Sequence, residues 1–128
     1  QLAVIRHMVN DLSFGIEIVG CPIIREEDGL AKSSRNTYLS EDERKAALVL
    51  SRSLKEGRKL VDDGEKDAAK VKKTITDIIE KEALAKIDYV EVVDWNTLEP
   101  VEKIDGPVLT AIAVYIGKTR RIDNFIVE

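Results

Sequence analysis

The chain is short of the residues that build covalent or metal-held folds. Its single cysteine, Cys21, rules out an internal disulfide, and with only one histidine, His7, there is no Cys/His zinc cluster. Six aromatics (one Trp, three Tyr, two Phe) in 128 residues argue against a base-stacking platform for single-stranded nucleic acid. There is no excess of positive charge: 20 Lys and Arg against 24 Asp and Glu leave a net charge of −4, which argues against a broad electrostatic nucleic-acid surface. No stretch approaches the ~18 consecutive apolar residues of a membrane span. The first residues also lack the basic, apolar and small-residue order of a signal peptide. What is present, 44% apolar and 34% charged residues, is the composition of one packed globular domain, expected in the cytoplasm.

Hydrophobic spacing divides the chain into three stretches. Leu2, Ile5, Met8, Val9 and Leu12 recur at helical intervals, so Gln1 to Leu12 reads as a helix, although no N-cap precedes it. After a turn at Ser13–Gly15, Ile16–Val19 reads as a short strand. Helix, tight loop and strand form one arm of an α/β unit, and no second unit follows to supply a parallel neighbour. The expectation is that residues 1–24 are the tail of a larger parallel-sheet domain; a strand that joins the later sheet is the alternative.

Pro22 to Leu39 has no sustained period and reads as an ordered loop, long enough to suggest a functional role. Ser40-Glu41-Asp42-Glu43 is a capping box. Beyond it Ala46, Ala47, Leu50, Leu54, Leu60 and Val61 stripe a helix of about six turns, ended by Gly64. A second helix is expected from about Asp67 to Lys86, with Ala68, Val71, Ile75, Ile78, Ile79 and Leu84 inward. The last third changes period: Ile87–Asp94, Val108–Ile116 and Ile122–Val127 read as strands, the middle one apolar enough to be covered on both faces. The fold class is therefore α+β, a helix hairpin packed on a three-stranded antiparallel sheet.

Chemistry concentrates in Lys32-Ser33-Ser34-Arg35-Asn36. Two hydroxyls between a lysine and an arginine provide donors suited to phosphate oxygens, and a guanidinium can hold two oxygens at once. A solvated loop with its serines in local turns is the competing reading, which composition by itself favours. His7, with no second histidine, reads as a packing or helix-surface residue. Cys21 reads as a small buried hydrophobe. Glu26, Glu27 and Asp28 read as solvated loop charges rather than metal ligands. Trp95 reads as a core cap.

In order along the chain, Gln1-Leu2-Ala3-Val4-Ile5-Arg6, Val19-Gly20-Cys21-Pro22-Ile23-Ile24-Arg25-Glu26 and Asp28-Gly29-Leu30-Ala31-Lys32-Ser33-Ser34-Arg35-Asn36-Thr37-Tyr38-Leu39-Ser40 resemble the second half of the pantoate–β-alanine ligase family. Ile87-Asp88-Tyr89-Val90-Glu91, Thr97-Leu98-Glu99-Pro100 and Gly117-Lys118-Thr119-Arg120-Arg121-Ile122-Asp123-Asn124 resemble its closing strands.

The resemblance implies an AMP-forming acid–amine ligase. ATP, with Mg²⁺, activates pantoate to a pantoyl adenylate with loss of pyrophosphate, and β-alanine attacks to give pantothenate and AMP. It also implies three parts: residues 1–24, the last helix and strand of a Rossmann-type nucleotide-binding domain; 25–39, an ATP-binding signature loop and linker; and 40–128, a C-terminal lid. Under it Ser33, Ser34 and Arg35 grip ATP phosphates. Lys32 sits beside them, where the family usually has methionine. Ile24 presents a backbone amide to adenine, and Gln1 takes the place of a pantoate-binding glutamine. The family's catalytic histidine belongs to an N-terminal half outside these residues, so His7 does not inherit its role and no catalytic residue or metal ligand is assigned. Homodimerisation is implied through that same N-terminal half, and the 128 residues alone are expected to be inactive. The rival reading is a stand-alone phosphate- or protein-binding module.

Overall fold

The computed structural model describes residues 1–128 as three helices, a 3₁₀ turn and one sheet. Helix α1 spans Leu2–Asp11, α2 Glu41–Asp62 and α3 Ala68–Glu80; strands β1 (Ala85–Asp94), β2 (Val108–Ile116) and β3 (Thr119–Val127) follow. The capping box forms as read: Ser40 accepts from the Glu43 amide, and the Ser40 amide donates to the Glu43 carboxylate at 3.0 Å. Gly64, at φ +101°, turns the chain out of α2, its N–H donating to the Val61 carbonyl.

The sheet is antiparallel in the order β1-β2-β3. Ile116 pairs with Thr119 around Gly117-Lys118, with Gly117 at φ +60°, so the β2–β3 connection is a two-residue hairpin that places glycine where the positive φ falls. The helix hairpin lies on one face of the sheet, α3 over β1 and α2 over β2 and β3. Leu50 and Leu54 of α2, Val71, Ile75 and Ile79 of α3, Val90 and Val92 of β1, Ile112, Val114 and Ile116 of β2 and Phe125 of β3 form one continuous core.

Five local expectations are revised. β2 is not covered on both faces: the helices lie on one side only, and on the other Leu109 and Ala111 are half-buried and Tyr115 is exposed, because no further layer packs there. Residues 16–19 pair with no strand; Ile16 and Val19 are 62% and 69% exposed. A strand needs a ladder partner, and no neighbouring segment supplies one. Helix α3 stops at Glu80 rather than near Lys86, because Ala85 is already registered against Ile116; Leu84 is consequently exposed. β3 begins three residues early, at Thr119, since the hairpin sets its register. Cys21 is exposed, not buried. Trp95 is half-buried and receives the Arg6 guanidinium of α1 at 5.7 Å from its ring centroid.

Candidate functional site

The segment before α2 is a built loop. Arg25 and Ala31 form an antiparallel bridge, flanked by Lys32 N–H to Ile24 O (2.9 Å) and Glu26 N–H to Leu30 O (2.8 Å). Gly29 takes φ +96° at the tip, which a side chain would resist. Asp28 accepts from the Leu30 amide at 3.2 Å and from Arg44 of α2 at 3.0 Å, tying the tip to the helix hairpin.

After this hairpin, Ser33 accepts from the Arg35 amide at 3.2 Å and opens a 3₁₀ turn, Ser34–Tyr38. Asn36 is buried and donates to Ala31 O (3.2 Å) and to Glu26 (3.3 Å). Burial here holds the two ends of the loop together, and it leaves Lys32, Ser34 and Arg35 facing outward. The local-turn role of the serines therefore holds for Ser33, while its hydroxyl proton stays free to donate.

β3 supplies the other wall. Lys32, Ser33 and Arg35 line a cleft of about 290 Å³ with Ile23, Arg121 and Asn124. Ile24 adjoins it through its carbonyl bond to Lys32; Gln1 does not line it and stands exposed at the start of α1. The loop is locked to β3 by Arg25, whose guanidinium donates to both Asp123 oxygens (2.7 and 3.0 Å) and to Gly29 O (3.0 Å). Hydrogen bonding to Asp123 raises the Arg25 pKa above its ordinary range. Arg121 donates to Ala31 O at 3.2 Å, and burial, reinforced by the Arg35 charge, lowers its pKa. Arg120, at the cleft edge, is engaged by Asp88 at 3.0 Å.

Lys32 and Arg35 have no carboxylate partner, so the rim carries uncompensated positive charge despite the acidic chain. No three His, Cys, Asp or Glu side chains gather to hold a metal. The loop cations were legible in the sequence. The β3 wall was not singled out for chemistry, though it left a signal: Arg121 and Asp123 fall on the strand positions that alternate with exposed ones and share a face with Phe125.

Charged residues on a core-facing strand position, opposite a Ser-Ser-Arg loop, define a specific arrangement. A family model described as pantoate-beta-alanine ligase matches residues 1–126. This chain belongs to the pantoate–β-alanine ligase family. It is 63% identical over 125 residues to the pantothenate synthetase of Clostridium botulinum strain Loch Maree, covering 98% of this chain and 44% of that protein. It therefore spans less than half the length of that ligase. The crystal structure of pantothenate synthetase from Thermus thermophilus superposes with a TM-score of 0.88 at 38% identity, over 97% of this chain and 45% of the other. A pantoate-beta-alanine ligase from Francisella tularensis, complexed with beta-gamma ATP and beta-alanine, matches with a TM-score of 0.57 at 25% identity, over 98% of this chain and 39% of the other. No helix of the chain is long and apolar enough to cross a membrane.

Proposed function

We propose that these residues are the C-terminal part of a pantothenate synthetase, acting on ATP, pantoate and β-alanine. Residues 1–24 close its nucleotide-binding domain, 25–39 form the ATP loop, and 40–128 form a lid over the site. A pantoate carboxylate oxygen attacks the α-phosphorus of ATP, and the bond to the β-phosphate breaks with pyrophosphate leaving. The β-alanine nitrogen then attacks the acyl carbon, the bond to AMP breaks, and the amine loses its proton as pantothenate forms. The enzyme works in the cytoplasm as a homodimer joined outside these residues.

The observation that carries this reading is the unpaired Lys32 and Arg35 on a loop whose base is anchored by buried Asn36 and by Asp123. Fixed cations at a closed site stabilise phosphate charge as it moves to the leaving group. Closure also keeps water from the acyl adenylate. Ser33 and Ser34 donate hydrogen bonds to phosphate oxygens, the Ile24 N–H, which has no backbone partner, reaches the adenine edge, and Gln1 meets pantoate. These 128 residues offer Mg²⁺ no carboxylate cage of their own: Asp123 is taken up by Arg25, and Glu26 holds Asn36. Magnesium, which usually keeps its waters and binds substrate phosphates, arrives with ATP in this reading.

In the full-length enzyme, Arg35→Ala lowers the single-turnover rate of adenylate formation more than it weakens pantoate binding; an unchanged rate rejects the assignment. The 128-residue chain alone melts cooperatively and releases no AMP from ATP, pantoate and β-alanine. Turnover by the isolated chain, or the lack of a transition, contradicts the reading. A stand-alone binding module predicts instead that the chain's ligand affinity is unaffected by supplying the rest of the enzyme.

A further inference from the structure

No hydrogen bond or ion pair joins residues 1–20 to residues 40–128. Helix α1 is covered instead by the segment that follows it. The Phe14 N–H returns to Val9 O at 3.0 Å, and Ile16 and Ile18 line a small cleft with Arg6, Val9 and Asn10. The charge that leaves this unit for the rest of the chain is Arg6, whose guanidinium stacks on Trp95 in the β1–β2 connection, 5.7 Å from the ring centroid.

Both partners are held for this contact. The Trp95 N–H donates to Pro107 O at 3.0 Å, and the preceding carboxylate, Asp94, accepts from the Asn96 and Thr97 amides, so the turn that presents the indole is stapled on two sides. On the other side the Arg6 fork crosses Gly20. A Cβ built on Gly20 would lie 2.9 Å from Arg6 Nη2 and 3.0 Å from Leu2 Cδ2, so the missing side chain is what lets the guanidinium through. Arg6 has no carboxylate partner, and both it and Trp95 are half-buried. A partly desolvated guanidinium gains most from the face of an indole, which carries the strongest ring quadrupole of the aromatic side chains.

We propose that Arg6 and Trp95 form a strap that fixes α1 against the lid, and that they are positioning residues for the joining of the two substrates. The positioning role rests on the reading that Gln1 meets pantoate and the 25–39 loop binds ATP. Gln1 stands at the start of α1, about one and a half turns before Arg6, whereas the loop runs directly into α2 of the lid. The pantoate carboxylate and the α-phosphorus therefore approach from opposite sides of the strap. Attack needs the reacting atoms within ~3–3.5 Å, so a lid free to shift on α1 reaches that geometry less often. Neither residue touches a substrate, and loss of the strap slows the joining step rather than the binding of either substrate.

Trp95 is the single tryptophan of the 128 residues, so its fluorescence reads the strap directly. In this chain Arg6→Ala uncovers the ring and raises acrylamide quenching. Gly20→Ala does the same by pushing the fork aside, although it alters neither partner. Arg52→Ala, which removes an exposed cation from α2, leaves quenching at the parental level. The second arm uses the full-length enzyme at saturating ATP and pantoate. Arg6→Ala, Gly20→Ala and Trp95→Leu each lower the single-turnover rate of adenylate formation about threefold to tenfold, the range that one half-solvated cation–π contact can hold. KM for ATP and for pantoate stays within about twofold of the parent, as expected of a contact remote from both substrates. Trp95→Phe and Arg6→Lys keep a ring and a cation and restore most of the rate. The Arg6→Ala/Trp95→Leu double variant is no slower than the slower single one, because both substitutions break the same contact.

Parental quenching in Arg6→Ala shows that there is no strap. A parental rate in Trp95→Leu, losses confined to KM, or losses that multiply in the double variant overturn the positioning role. A parent enzyme that forms no adenylate rejects the ligase reading instead, and the quenching of the 128-residue chain still decides the strap.

Discussion

Arg25 and Asp123 are 98 positions apart, yet they meet in a two-pronged ion pair at 2.7 and 3.0 Å. The Asp123 side chain keeps 2% of its surface exposed and that of Arg25 33%. The pair sets the distance between the Arg25–Arg35 loop and β3, so it decides whether the cleft has two walls. It is a positioning pair: neither group is needed to touch phosphate for its loss to matter.

Removing Arg25 strands a buried carboxylate. Arg25→Ala is expected to cost about 2 kcal/mol, below the ~3–5 kcal/mol of a fully buried pair because Arg25 is partly solvated. Urea unfolding of the single and double variants with Asp123→Asn measures the coupling, which should account for most of that loss. Additive effects of the two substitutions show that the pair is not coupled.

Asp94 ends β1 and accepts from the Thr97 (2.9 Å) and Asn96 (2.7 Å) amides, and these bonds, Thr97 foremost, hold its pKa below the ordinary carboxylate value. A carboxylate with a depressed folded pKa adds stability above its unfolded value of ~3.9 and loses it as pH falls through the lower folded value. Acidification across that window should lower the melting temperature of the parent more than that of Asp94→Asn. Parallel curves for the two proteins argue against this contribution.

Gly57 lets α2 approach α3. A Cβ built there lies 2.7 Å from Ile75 Cδ1 and 2.8 Å from Cγ1, and Ile75 is fully buried. Alanine gains ~1 kcal/mol of helix propensity at an ordinary helical site. Overpacking here costs ~1–3 kcal/mol, so Gly57→Ala should be net destabilising by about 1 kcal/mol. A raised melting temperature shows that Ile75 can retreat.

Short-range chemistry was legible in the residues themselves. Ser40 and Glu43 cap α2 through bonds three residues apart, and β2 runs over Val108–Ile116 as its almost unbroken apolar run predicts, though it is covered on one face only. The Lys32–Arg35 cluster was visible as a run of contiguous donors for the same reason, although composition by itself favoured a solvated loop. The expectations that changed were those settled by a distant partner. Leu84 keeps helical spacing with Ile79, but the chain leaves the helix because Ala85 pairs with Ile116 of β2. Residues 16–19 have strand composition and no ladder to join.

The sequence alone determined the α+β class, the helix hairpin, the three strands and the loop cations, because periodicity and capping act between near neighbours. Only the tertiary structure decided that the loop faces β3, that Asp123 holds it there through Arg25, and that Arg121 lies buried with no carboxylate partner in the cleft that Arg35 also lines. Those relations join residues about ninety positions apart, and no local pattern carries the register that brings them together.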